Sequence, residues 1–209
     1  GGGCEVTMAG NAVRAAAETY IGLVEFGAGV IPAGGGCLRL YREQVAQLGD
    51  AKDLYPALKN AFELIGKAQV ATSAEEARRM GFLRRGDSWS MNRDHLAADA
   101  RDLAVALAAG GWRPEPPSTA LPVMGSAGLA LVESVLYNME EAGWISAHDR
   151  LIGRELGRIL SGGDVPGPCA VSEQHILDLE REAFLRLVST RKTMERMEHI
   201  LKTGKPLRN

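Results

Sequence analysis

Gly1-Gly2-Gly3-Cys4-Glu5 leads straight into Val6-Thr7-Met8-Ala9, and twenty residues beyond Glu5 a second acid stands in Leu23-Val24-Glu25-Phe26-Gly27, followed by Ile31-Pro32-Ala33-Gly34-Gly35-Gly36. Three glycines at the start of a helix leave its first backbone N–H groups uncovered and pointing outward, which makes an anion-binding nook. Glu25 is a carboxylate in an otherwise apolar, glycine-flanked segment, out of place for a core. Each feature also has a plain structural explanation: Glu5 as a first-turn acid favoured by the helix dipole, Glu25 as a surface loop acid, the glycines as turns. Their joint arrangement is what points to chemistry.

Working outward, 209 residues with 45% hydrophobic side chains are enough to bury a sizeable core. The 24 basic and 26 acidic residues are interspersed and leave a formal charge of -2, which argues against nucleic acid as a partner. The cysteines, Cys4, Cys37 and Cys169, lie far apart with no C-x-x-C pair, and a reducing, cytoplasmic setting is expected. The longest mostly apolar stretch, Thr119 to Val132, is too short and too interrupted by Pro122, Gly125, Ser126 and Gly128 to span a bilayer, and no signal-peptide pattern opens the chain. With no initiator methionine, the chain reads as a fragment or a processed product.

Up to Leu40, small residues and glycine-broken apolar runs predict a short helix, brief strands and tight loops, and beyond it the pattern becomes helical. Lys52 to Val70 carries Leu54, Leu58, Ala61, Phe62 and Ile65 on one face, and Ser73-Ala74-Glu75-Glu76 is a capping box opening a helix that stops at Gly81. Asp94 to Ala109 is again amphipathic. The proline-rich stretch Gly111 to Ser118 predicts a linker. Three helices follow: Leu129 to Ala142, one capped by Ser146-x-x-Asp149 and ending at Gly162-Gly163, and a long one from Ser172 to Leu201 with Leu177, Phe184, Leu187, Val188, Met194, Met197 and Leu201 near one stripe.

The glycine run with its glutamate, the second glutamate and the Ile-Pro-glycine loop match in order and spacing, and Gly1–Asn11, Tyr20–Leu40 and Ser73–Phe82 resemble the crotonase (enoyl-CoA hydratase/isomerase) superfamily. Leu179 to Asn209 resembles the C-terminal segment of bacterial multifunctional 3-hydroxyacyl-CoA dehydrogenases that end in such a domain. The resemblance implies an α/β crotonase-like fold, a spiral of ββα turns truncated at its N-terminal half. The chain is then expected to be mainly α with a small β remnant between Val13 and Gly22. Residues 1–110 become the C-terminal half of the crotonase-like core, and 111–209 a helical C-terminal region. Asn11 stands where the family often has aspartate, and Ala33-Gly34 reverses its usual order.

Carried over residue by residue, the resemblance makes Glu5 and Glu25 the two catalytic acids. Gly2 supplies an oxyanion-hole N–H, and the Ala33 N–H holds the attacking water. Lys202 and Lys205 are candidates to meet a CoA phosphate, or else form a solvated basic tail. The implied activity is hydration of trans-2-enoyl-CoA to 3-hydroxyacyl-CoA in fatty-acid β-oxidation, a lyase step within a polypeptide that is also an NAD-dependent 3-hydroxyacyl-CoA dehydrogenase, an oxidoreductase. One carboxylate takes a proton as the other gives one. No cofactor is expected in this fragment: the substrate is an acyl-CoA thioester of lipid metabolism, and NAD belongs to the dehydrogenase part. The missing N-terminal part of the same polypeptide is the expected partner, with self-association as a homo-oligomer, and the fragment alone is expected to be nearly inactive.

Other residues carry less. His95, His148, His175 and His199 stand apart without ligand spacing and read as surface or cap histidines, so no metal site is expected. Gly27-x-Gly29 and Gly34 to Gly36 are not a dinucleotide fingerprint, since no strand, G-x-G-x-x-G and helix surround them. The alternative to a hydratase is a non-catalytic scaffold or oligomerisation domain of the dehydrogenase.

Overall fold

The computed structural model describes residues 1–209. Helix α1 (Gly2–Ala9) is followed by β1 (Arg14–Ala16), β2 (Ile21–Gly22), a 3-10 turn (Glu25–Ala28), α2 (Gly36–Gln47), α3 (Tyr55–Gly66), β3 (Val70–Ala71), α4 (Ala74–Met80), β4 (Ser88–Ser90) and α5 (Leu96–Ala109). Then come β5 (Leu121–Val123), α6 (Ser126–Glu141), α7 (Ala147–Leu160), β6 (Cys169–Val171), α8 (Glu173–Val188) and α9 (Arg191–Thr203).

The spiral of ββα turns does not form, and the crotonase-like expectation is corrected on this point. The strands are two or three residues long and pair off as three separate ribbons: β1 with β4 in parallel, β2 with β3 and β5 with β6 antiparallel. Strands this short offer too few ladder hydrogen bonds to build a continuous sheet, and the helices supply the buried faces instead. No helix is long and apolar enough to cross a membrane.

Local capping sets the helix starts. Ser73 accepts the Glu76 N–H at the head of α4, and Ser146 and Asp149 close a reciprocal capping box on α7. The long helix expected from Ser172 to Leu201 is two helices. Thr190 accepts the Thr193 N–H and caps α9, so the chain turns at Ser189-Thr190. The apolar stripe crosses that turn only in part: Met197 packs against the core, Met194 and Leu201 are exposed, and the buried face of α9 holds Thr193 and Arg196.

The 33 buried apolar residues form one cluster running from Cys4 to Leu187. Helix α2 is central to it, packing on α1, α3, α7 and α8 with Leu38, Leu40 and Tyr41 buried. Tyr41 donates its hydroxyl to the Pro122 carbonyl at 3.1 Å and ties α2 to β5. The boundary expected at residue 110 falls between α5 and β5, and α5 itself lies over β1 and β4 without a fully buried residue.

Candidate active site

The first turn of α1 and the glycine loop ahead of α2 meet at Glu5. Its Oε1 accepts the Gly34 N–H at 2.7 Å and the Gly36 N–H at 3.0 Å. The approach is close: a Cβ on Gly36 would lie 2.8 Å from Glu5 Oε1 and 2.7 Å from the Pro32 Cβ, so a side chain there would push the acid away. Gly35, with φ of 89°, takes the left-handed conformation that turns the loop into α2. The backbone N–H of Ala33, two residues earlier and half-buried, has no acceptor within the protein.

Glu25 opens the 3-10 turn and reaches the other side of α1, with Oε1 3.7 Å from the Gly1 nitrogen. Its side chain is 16% exposed, and the buried Oε2 has no hydrogen-bond partner. Burial, above all, pushes the Glu25 carboxyl above the ordinary glutamate range; its own backbone N–H opposes this, and the charge of Glu5 adds to it. Two carboxylates therefore flank one helix terminus in different environments, one gripped by amides and the other enclosed with an unpaired oxygen.

Gly2 and Gly3, at the head of α1, are exposed, with open space where a side chain would stand. They line a cleft of about 490 Å³ shared with Arg14, Thr19 and Tyr20. The head of α1, the positive end of its helix dipole, lies at this cleft. Cys4, beneath this cleft, is pushed up to about 12, chiefly by burial, and remains a thiol rather than a nucleophile.

Lys202 and Lys205 sit at the far end of α9 with exposed ammonium groups, Lys202 paired with Glu198. No contact joins either to Glu5 or Glu25, although Pro206, next to Lys205, packs by Gly27 in the turn that carries Glu25.

Two groups of residues around the site escape sequence reasoning. The first is a buried polar brace. Thr193 donates to the Gly29 carbonyl at 2.8 Å, and His148 Nε2 lies 3.0 Å from the Thr193 hydroxyl oxygen. With the hydroxyl's single proton engaged, His148 must donate from Nε2. This agrees with its pKa, lowered by burial first and then by Arg196 and Lys192. His148 is thus a core histidine, which corrects its reading as a surface or cap residue. Next to it Arg196, 1% exposed, pairs with Asp149 at 2.8 Å.

The second is Glu180 on α8, completely buried, whose Oε2 accepts the Gly35 N–H at 2.8 Å and whose Oε1 accepts the Leu38 N–H at 2.7 Å. The available signal was positional. Ile176, Leu179, Ala183 and Leu187 are the buried face of α8, and Glu180 falls on the same face at helical spacing.

No family model matches the chain. It is 43% identical over all 209 of its residues to the probable 3-hydroxyacyl-CoA dehydrogenase of Bacillus subtilis, covering 26% of that protein. It is 26% identical over 202 residues, 97% of the chain, to the putative fatty acid oxidation complex trifunctional enzyme of Rickettsia felis, covering 24% of it. The chain spans about a quarter of the length of the curated relatives it matches. The resemblance to the crotonase superfamily is corrected accordingly: the similarity is to a dehydrogenase and a trifunctional oxidation enzyme, and the ribbons described above are not that superfamily's spiral.

Proposed function

We propose that the chain belongs to a fatty-acid oxidation polypeptide with 3-hydroxyacyl-CoA dehydrogenase activity, and that its Glu5–Glu25 site adds water to trans-2-enoyl-CoA, giving the 3-hydroxyacyl-CoA that such a dehydrogenase oxidises. The observation that carries this reading is the pair of unlike carboxylates about the amide-rich head of α1. Glu5, with Oε1 occupied by two N–H donors, takes a proton from water through Oε2 as the water oxygen bonds to the β-carbon. Glu25, whose burial favours the protonated form, delivers its proton to the α-carbon. The Gly2 N–H steadies the negative charge that gathers on the thioester oxygen between these events. In this reading the Ala33 N–H holds the water, and Lys202 and Lys205 meet phosphates of CoA.

The glycine loop does not fit a dinucleotide phosphate, because its Gly34, Gly35 and Gly36 amides are engaged by Glu5 and Glu180. NAD is therefore assigned to a part of the polypeptide outside these residues, and the chain works against that part, in a homo-oligomer.

A second reading, a packing module without turnover, is favoured by an apolar groove of about 520 Å³ between α3 and α6, where Phe62, Leu131 and Val135 lie near Trp144, itself 71% exposed. Loss of enoyl absorbance from a trans-2-enoyl-CoA, measured on the full-length polypeptide and its Glu25→Gln variant, separates the two. Turnover that depends on Glu25 supports the hydratase; no turnover in either protein supports the module.

A further inference from the structure

Glu180 takes no part in the water addition, yet its two hydrogen bonds lie in the same five-residue segment as those of Glu5. Gly34 and Gly36 donate to Glu5 from the α1 side, and Gly35 and Leu38 donate to Glu180 from the α8 side. The first three donors are consecutive glycine amides, so they are shared out alternately between two carboxylates. A run of three glycines has no side chains to hold its conformation and loses more conformational entropy on ordering than any other sequence. Its N–H directions must be set from outside. Turning the peptide plane of Gly35 would also rotate its neighbours and release Glu5.

We propose that Glu180 is a positioning residue for Glu5: by fixing the Gly35 and Leu38 amides it fixes the Gly34 and Gly36 amides, and so sets the position of the Glu5 carboxylate they hold. The role in catalysis rests on the hydration reading above; the mechanical coupling stands on geometry alone. The charged and titratable groups facing Glu180 are Glu5 from α1 and Arg39 and Cys37 from α2, and no cation pairs with it directly. Arg39 Nη1 donates to the Gly34 carbonyl at 3.0 Å and holds the same loop from its solvent side. Burial, opposed by the Leu38 and Gly35 amides, brings Glu180 up to about 7. The ionised form accepts both N–H bonds with charge assistance, so the clamp tightens as pH rises through neutrality.

The test uses the full-length protein and its Glu180→Gln variant, which keeps the side-chain size but must turn an NH₂ toward one of the two N–H donors. Backbone hydrogen exchange of Gly34 and Gly36, which Glu180 does not touch, is expected to accelerate about tenfold. In the same variant hydration kcat falls roughly 10- to 100-fold at unchanged KM, and the inflection of kcat near neutral pH disappears. In the wild-type protein, which needs no variant to fold, protection of Gly34 and Gly36 corrected for intrinsic exchange rises as pH passes about 7. Protection at those two amides that is indifferent both to pH and to the substitution overturns the proposal. A wild-type protein with no hydration activity overturns the reaction reading instead, and the exchange data then decide the positioning role alone.

Discussion

Thr193 on α9 donates its hydroxyl proton to the carbonyl oxygen of Gly29 across a sequence separation of 164 residues, and this one bond at 2.8 Å ties the last helix to the turn that carries Glu25. The same hydroxyl oxygen receives the His148 proton, so three distant segments converge on one atom.

Removing that hydroxyl with Thr193→Val keeps the side-chain volume but strands the buried Gly29 carbonyl and the His148 N–H. A loss of about 1–3 kcal/mol is expected, the usual cost of unsatisfied buried polar groups. Denaturant unfolding of the variant checks it, and an unchanged midpoint would show that the brace does not hold the turn.

Beside the brace, the Arg196–Asp149 pair is nearly inaccessible to water. Arg196→Met leaves the Asp149 carboxylate buried without its cation, and the expected destabilisation is roughly 3–5 kcal/mol. The double variant Arg196→Met, Asp149→Leu should recover much of that loss, as measured by the same unfolding experiment.

Glu180 makes stability depend on pH in an unusual direction for an acid. Its folded pKa, up to about 7, lies above that of an exposed glutamate, so the folded protein binds more protons than the unfolded chain at intermediate pH. Its contribution is fully present below the unfolded value and is lost as pH rises through about 7; raised Glu25 acts with the same sign. Unfolding free energy should decline from about pH 5 to about pH 8, and Glu180→Gln should flatten that decline.

Gly36→Ala tests the close approach of the loop to Glu5. The added methyl group meets Pro32 and Glu5 at under 3 Å, and the backbone of the loop must shift. A hydration kcat lower by roughly 10- to 100-fold is expected from the misplaced carboxylate. Wild-type kinetics in this variant would mean that Glu5 does not depend on the Gly36 amide.

What the sequence makes legible here is mostly local. The caps at Ser73 and Ser146 are legible because donor and acceptor lie three residues apart, but the box expected at Ser73 is only half formed, since Glu76 accepts the Thr72 N–H instead of that of Ser73. The turn at Ser189-Thr190 is hidden, because apolar residues continue on both sides and nothing but a threonine cap marks the break. Strands such as Val70–Ala71 and Leu121–Val123 are too short to show a period of two. The crotonase-like spiral fails as an expectation for a related reason: short glycine-rich motifs report local loop geometry, not how strands pair. At the candidate site, Glu5 and Glu25 stand out as acids among glycines, whereas their supporting groups do not. Glu180 and Thr193 act across 145 and 164 residues of chain, and His148 is buried by a partner 45 residues away.

The most direct measurement is hydration of a short trans-2-enoyl-CoA by the full-length polypeptide carrying Glu5→Gln or Glu25→Gln, alongside oxidation of 3-hydroxyacyl-CoA by the same proteins. Each substitution is expected to lower hydration kcat by roughly 10²–10⁴, the range for loss of a positioned acid or base, and to leave the oxidation unchanged. Hydration that proceeds at the wild-type rate in the Glu25→Gln protein would contradict the two-carboxylate site.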